Sequence, residues 1–213
     1  MKYKYIFFDF NGTVIDDLDL CLDLLNQILI KQNKPTKTVE EYKEIFGFPI
    51  IDYYKAAGVT FEKDSFEDLS KWFIKIYQPE SFKCSLFHHS VETFNFLRSK
   101  GYKVVLLSAS QIDNLLEQCE AFGITKCFDD ILGIEDVQAR SKVHLAEAYF
   151  KKHNINPKDA FFIGDTLHDA EVAKTVGANF GLVTFGQQST RRLKQVTDLL
   201  FDSYDDIKEY LND

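Results

Sequence analysis

An apolar run, Tyr5-Ile6-Phe7-Phe8, ends in the carboxylate of Asp9. A carboxylate at a strand end can attack phosphorus and carry the phosphoryl group, or it can simply cap a turn. A second apolar run ends in Gly164-Asp165, and Asp169 follows four residues later. If a helix begins there, Asp169 sits in its first turn and both carboxylates can face one site. Such oxygen donors suit a hard cation such as Mg²⁺, which also screens an incoming phosphate. Acidic residues near a helix N-terminus also stabilise it, by about half a kcal/mol. Gly164, the paired carboxylates and the strand–helix context favour the cation reading. Ser108 closes a third apolar run, "VVLLSAS". Its hydroxyl and the neighbouring backbone N–H of Ala109 could hold a phosphate oxygen, although Ser after a strand is also common turn chemistry. Lys142 stands at a helix start, where a cation opposes the helix dipole. It is either a phosphate-neutralising group or a solvated surface residue.

Asn11-Gly12 between apolar runs is a strong hairpin signal. Ile6–Phe8 and Val14–Ile15 could be two strands around a type I′ turn. The alternative is a strand followed by a reactive loop. The segment by itself leaves both open.

The elements that would position these residues follow from a change of rhythm. Residues 4–9 read as a short buried strand. From Asp16 to about Tyr77 the pattern is helical. "DLDLCLDLLNQILIKQN" stops before Pro35. "TVEEYKEIFG" opens with a Thr38–Glu41 capping box and closes on Gly47, "PIIDYYKAAG" closes on Gly58, and "SFEDLSKWFIKIY" is the fourth helix. Beyond about residue 84, helices alternate with the strands "KVVLLS", "DDILGI", "DAFFIGD", "FGLVTF" and a weak "DLLF", before a last helix in "SYDDIKEYL". That alternation implies an α/β fold with a parallel sheet covered on both faces, and the strand at 4–9 joins it. Residues 16–83 then form an inserted helical unit. Ligands of open α/β sheets sit at the carboxyl ends of strands, which selects Asp9, Ser108, Asp165 and Asp169.

The 213 residues suffice for one good-sized domain or a domain with a smaller insert, and 45% hydrophobic content supports a large core rich in Phe (20) and Tyr (10). A net charge of −8 disfavours nucleic-acid binding. No apolar run approaches a membrane span, and Cys21, Cys84, Cys119 and Cys127 form no Cys-x-x-Cys pair. A soluble cytoplasmic protein is expected, without nucleic-acid or membrane partners, as a monomer or homodimer.

Taken in order, Asp9, Ser108, Lys142 and Asp165/Asp169 make the whole chain resemble the haloacid dehalogenase-like hydrolase superfamily, more narrowly its phosphoglycolate-phosphatase-like branch with a helical cap. "FFDFNGTVID" and "FFIGDTLHDAEVAKTVGA" are the specific motifs. The resemblance implies a Rossmann-like core, residues 1–15 and 84–213, with a cap at 16–83. It implies Mg²⁺-dependent hydrolysis of a small phosphorylated metabolite through a phosphorylated Asp9. Metal ligands would be Asp9, the backbone carbonyl of Asn11, Asp165 and, directly or through another group, Asp169. Ser108, Ala109 and Lys142 would hold the phosphoryl group, with Gly12 and Thr13 shaping the loop beside it.

Position 11 departs from the family's pattern, which has an aspartate there to protonate the leaving oxygen. Asn cannot exchange a proton near neutrality, and general acid–base help is worth about 10²–10⁴-fold. Three consequences are open: a slow phosphatase best on acyl or aryl phosphates, a substitute proton donor such as His168, or a phosphate-binding, slow-turnover regulatory protein. A dehalogenase would waste the paired carboxylates. His88 and His89 read as loop or helix-cap residues, since adjacent side chains diverge. "RRLK" at 191–194 reads as a solvated helix face.

Overall fold

The computed structural model describes residues 2–135 and 141–212. The first strand, β1 (Tyr5–Phe8), is followed by a short β2 (Ile15–Asp16) and four helices: α1 (Leu18–Lys31), α2 (Val39–Ile45), α3 (Ile50–Ala57) and α4 (Phe66–Ser81). After β3 (Ser85–Leu86) come α5 (Ser90–Ser99), β4 (Lys103–Gln111), α6 (Ile112–Ala121), β5 (Asp130–Ile134), α7 (Lys142–His153), β6 (Ala160–Gly164) and α8 (Leu167–Thr175). The chain then forms β7 (Asn179–Val183), α9 (Thr190–Leu193), β8 (Leu200–Phe201) and α10 (Tyr204–Asn212).

Six strands form one parallel sheet in the order β5-β4-β1-β6-β7-β8. This is an α/β, Rossmann-like architecture. β1 lies between β4 and β6, where successive strands switch from one side to the other, the place such sheets use for ligands. Alternation along the strands explains the two covered faces. Ile6, Phe8, Leu106, Phe161 and Ile163 pack with Phe94, Tyr204 and Ile207 from α5 and α10 on one face. Phe7, Val105, Leu107 and Phe162 pack with Tyr149, Phe150 and Val172 from α7 and α8 on the other. Phe7 stacks on Phe162 at 4.5 Å, directly behind the carboxyl end of β1.

The hairpin alternative for the Asn11-Gly12 segment is not what forms. β1 pairs with β4 and β6, while β2 pairs antiparallel with β3, Ile15 opposite Leu86. A type I′ turn needs two consecutive residues at positive φ, and here Gly12 has φ 70° while Asn11 does not share that region. The short β2–β3 ribbon carries the chain out to α1–α4 and back. Those helices have an apolar cluster of their own, built from Leu25, Ile28, Leu29, Tyr42, Tyr53, Tyr54 and Leu69.

Element boundaries differ from expectation in three places, two helices and one strand. The Thr38–Glu41 capping box forms, but α2 ends at Ile45 because Phe46 turns to extended backbone (ψ 136°), so Gly47 does not stop it. α4 runs past Tyr77 and through Pro79 to Ser81. Its end is anchored by the Ser81 hydroxyl, which donates to the Gln78 carbonyl (2.8 Å) and accepts from Gln118 Nε2 (2.7 Å). β4 continues to Gln111 through a register shift after Leu107. The 191–194 stretch is not a wholly solvated face either. Leu193 is buried, and the Arg192 guanidinium is half-buried against the Phe46 carbonyl. Among the described residues no helix is long and apolar enough to cross a membrane. His89 caps α5 and pairs with Asp205, as a cap residue would.

Replacing Phe7 with Ala removes a fully buried ring from the layer beneath β1. The expected cost is about 3–5 kcal/mol, read from the urea midpoint; a loss below about 1 kcal/mol would mean the two sheet faces share their packing differently.

Candidate active site

Asp9 follows β1 directly, and its backbone N–H extends the ladder to the Ile163 carbonyl (2.9 Å). Asp165 and Asp169 follow β6, its neighbour. The three carboxylates converge, with one oxygen from each lying within 4.8 Å of the others. Lys142, at the start of α7, brings its buried ammonium to 2.5 Å from both Asp9 Oδ1 and Asp169 Oδ1. The surface-lysine alternative is thereby excluded for Lys142, which is 4% exposed.

Each carboxylate is held from behind. Thr166 and Asp169 form a capping box at the start of α8, so Asp169 Oδ2 caps the helix while Oδ1 faces Lys142. The helix-cap reading of Asp169 is realised by one oxygen, and the other is left to pair with Lys142. Asp165 accepts from the Thr13 hydroxyl (3.1 Å) and the Gln187 backbone N–H (2.6 Å). Gly12 passes so close to Asp165 and Gln187 that a β-carbon there would overlap both, and its positive φ also demands glycine. The turn's hydrogen bonds run from Gly12 N–H to Ile15 O and from Ile15 N–H to Phe10 O. They leave the Asn11 carbonyl outside the turn.

Burial pushes the Asp9 carboxyl up to about 7, with Lys142 pulling downwards and Asp169 adding to the rise. Burial also raises Asp165 well above its ordinary value, helped by Asp9 and Asp169. For Asp169 burial is outweighed by Lys142 and the Thr166 hydroxyl, so it is held low. For Lys142 burial is outweighed by Asp169 and Asp9, so it is held high and charged. Three carboxylates against one ammonium leave negative charge uncompensated. That excess and the oxygen-only donor set fit a hard divalent cation.

A cavity of about 310 Å³ opens above the carboxylates, between the strand ends and α2–α4. Asp9, Asn11, Ser108, Ala109, Lys142, Asp165 and Asp169 all line it, as does His168. Gly12 and Thr13 do not reach its wall; they support Asp165 from behind. Ser108 accepts from the Ser110 N–H (3.1 Å), and its hydroxyl donates to Ser110 Oγ (3.1 Å). His168 bonds Glu171 through Nδ1 (3.0 Å) and its ring packs on Phe48.

The sequence reading missed Asp17. It lines the cavity, is 1% exposed, and sits at the centre of a polar network. Asn11 Nδ2 donates to Asp17 Oδ2 (2.8 Å) and to the Tyr77 hydroxyl (2.6 Å), which itself donates to Asp17 Oδ2 (2.6 Å). Gly12 N–H (3.0 Å) and Gln187 Nε2 (2.8 Å) bind Asp17 Oδ1. Ser110 Oγ donates to Asn11 Oδ1 (3.3 Å). Burial raises the Asp17 carboxyl, opposed by the bonds from Tyr77 and Asn11. Both hydrogens of the Asn11 amide are therefore engaged within the protein. The adjacent acidic pair Asp16-Asp17 was the available sequence signal; nothing marked Tyr77 or Gln187.

A sequence model of a family described as haloacid dehalogenase-like hydrolase matches residues 6–183. Phosphoglycolate phosphatase of Pasteurella multocida is 26% identical over 197 residues, covering 87% of each chain. That of Vibrio parahaemolyticus is 28% identical over 193 residues, covering 86% of this chain and 84% of its own. Among solved structures, a haloacid dehalogenase-like family hydrolase of Streptococcus pneumoniae superposes with a TM-score of 0.84 at 19% identity, over 99% of both chains.

Asn11→Asp places a carboxylate where the amide now donates to Asp17. Like charges at hydrogen-bond distance cannot both stay ionised cheaply, so the single variant should lose about 2–3 kcal/mol at alkaline pH. Adding Asp17→Asn should restore most of it. Urea unfolding of the wild type, both singles and the double variant reads the coupling; additive effects would show that the two side chains do not interact.

Proposed function

The chain belongs to the haloacid dehalogenase-like hydrolase family, and from this we propose that it is a phosphoric monoester hydrolase. Asp9 would take the phosphoryl group from a small phosphomonoester and water would release it. The observation that carries this reading is the buried Asp9–Lys142–Asp169 arrangement beside Asp165, under a cavity sized for a small molecule. The relatives named phosphoglycolate phosphatase support the same ester class.

Asp9 and Asp165, with the Asn11 carbonyl, are the groups that would hold Mg²⁺, and Asp169 supports the site by orienting Lys142. When bound, the ion supplies the positive charge that lets a phosphate approach carboxylates. Lys142 would bind a phosphoryl oxygen, and Ser108 with the Ala109 N–H would bind another. The helices between residues 16 and 83 would act as a cap that excludes water and selects the substrate. Asn11 supplies no proton to the leaving oxygen, and its amide hydrogens are already engaged, so the first step is slow for leaving groups that need a proton and the attack of water on the phosphorylated Asp9 is slow for all. That engagement also favours the second reading, a slow-turnover regulatory protein that holds phosphate. A cytoplasmic location accords with the four free cysteines.

Phosphate release with Mg²⁺ tests the reading on freshly made protein, with intact mass checked because Asn11-Gly12 is prone to deamidation. Wild type should turn over acetyl phosphate and Asp9→Asn should be slower by at least about 10³-fold. Equal rates would remove Asp9 as nucleophile.

A second expectation concerns pH. The raised carboxyls of Asp9 and Asp165 stabilise the fold when protonated, and that contribution is lost as pH rises through their folded-state values, near 7 for Asp9. Mg²⁺ binds the ionised forms. It should therefore raise Tm more at about pH 8 than at about pH 6; equal increments would place the ion elsewhere.

A further inference from the structure

The cavity's two walls differ in chemistry. The strand-end wall is polar and acidic. The facing wall comes from the helices and the loop between α2 and α3, and is built of Phe46, Phe48, Ile50, Phe73, Ile74 and Tyr77. Phe48 is 44% and Ile74 49% exposed, and these two are half of the large apolar side chains left exposed among the described residues. Apolar groups kept open to water at the rim of a pocket mark a surface that binds something apolar. Phe73 stacks on Tyr77 with ring planes 11° apart, and both rings line the cavity.

Charge points the same way. Among the described residues, Lys142 is the only Lys or Arg lining the cavity, and Asp9 and Asp169 already bind it. Among the described lining residues, a second anionic group on the substrate, such as a carboxylate, would meet rings, a few hydroxyls, the Asp17 carboxylate and His168, which already bonds Glu171. Desolvating that charge without a partner is costly. At about 310 Å³ the space lies at the small end of ligand pockets, which run from roughly 300 to 1,000 Å³. One ring and one phosphoryl group suit it.

The leaving group is constrained independently. Asn11 donates both amide hydrogens to Asp17 and Tyr77. A leaving oxygen that must be protonated as it departs is poorly served. A phenolate leaves as a stable anion and takes its proton from water afterwards.

We propose that the substrate is an aryl phosphate, a monoester whose leaving group is an uncharged aromatic ring. This rests on the phosphatase reading above. In the first step an Asp9 oxygen bonds to phosphorus. The bond from phosphorus to the aryl oxygen breaks, and its electron pair leaves with that oxygen as phenolate. In the second step a water oxygen bonds to phosphorus and the bond to Asp9 breaks. Inorganic phosphate and the Asp9 carboxylate are released; one water proton stays with phosphate and the other balances the phenolate.

The test compares kcat/KM for acetyl phosphate, phenyl phosphate, benzyl phosphate and phosphoglycolate with Mg²⁺, in wild type, Phe48→Ala and Ile74→Ala. Both side chains are half exposed, and the urea midpoint of each variant, expected close to that of wild type, confirms the fold before the kinetics are read. Acetyl phosphate needs neither a ring pocket nor a proton donor and reports the phosphatase reading by itself. The expected order places phenyl phosphate at least about tenfold above phosphoglycolate and above benzyl phosphate. Each variant should lower the ratio of phenyl to acetyl phosphate roughly three- to tenfold. Turnover of acetyl phosphate with phosphoglycolate equal to or better than phenyl phosphate overturns the inference and leaves the phosphatase reading intact. An unchanged ratio in both variants also overturns it. No turnover of acetyl phosphate overturns both.

Discussion

The Lys142 ammonium, buried between Asp9 and Asp169, is the interaction on which the rest of the site depends. Three carboxylates in such a small space repel one another and lose hydration. The Lys142 charge offsets part of that repulsion where β1 and β6 end side by side in acidic residues. Lys142 sits at the N-terminus of α7, where the helix dipole disfavours it. The attraction of two buried carboxylates outweighs that dipole and fixes where α7 starts relative to the sheet. The remaining negative charge is what a divalent ion would meet.

A second network ties the helical segment to this centre. Tyr77 of α4 and Tyr42 of α2 reach down to Asp17 and Gln187, and Gln187 in turn donates its backbone N–H to Asp165. Asn11 stands in the middle of these bonds. Position 11 is therefore not an isolated loss of a carboxylate. Its amide is the donor that a buried Asp17 needs, and the carboxylate of this network belongs to Asp17 rather than to position 11. The same helices supply the apolar wall of the cavity, so their placement shapes both the polar network and the cavity.

The strands, their parallel arrangement and the site residues at their ends were legible because each rests on a local pattern. An apolar run ending in Asp, a Gly-Asp before a helix, and strict strand–helix alternation each carry their own signal. Boundaries were less legible. Pro79 and Gly47 are strong local breakers, yet Ser81 is anchored by a bond to Gln118 and α2 stops two residues before its glycine. These outcomes depend on tertiary partners. Asp17 and Tyr77 were illegible for a related reason: their importance lies in contacts across 60 residues of chain. Arg192 and Leu193 read as solvated because what covers them, Phe46 after α2 for Arg192 and Ala170 with Leu182 for Leu193, is distant in the sequence. Lys142 could be read either way, because burial, which decides it, is not written in its neighbours.

The central claim is that Asp9 carries the phosphoryl group and that Asn11 slows its transfer to water. Acid-quenched mass spectrometry of the protein during turnover of an acyl or aryl phosphate tests it directly. A phosphoryl adduct on the peptide containing Asp9, accumulating to a substantial fraction of the protein, is the expected result. Steady phosphate release with no adduct on that peptide, or an adduct on another residue, would contradict the account.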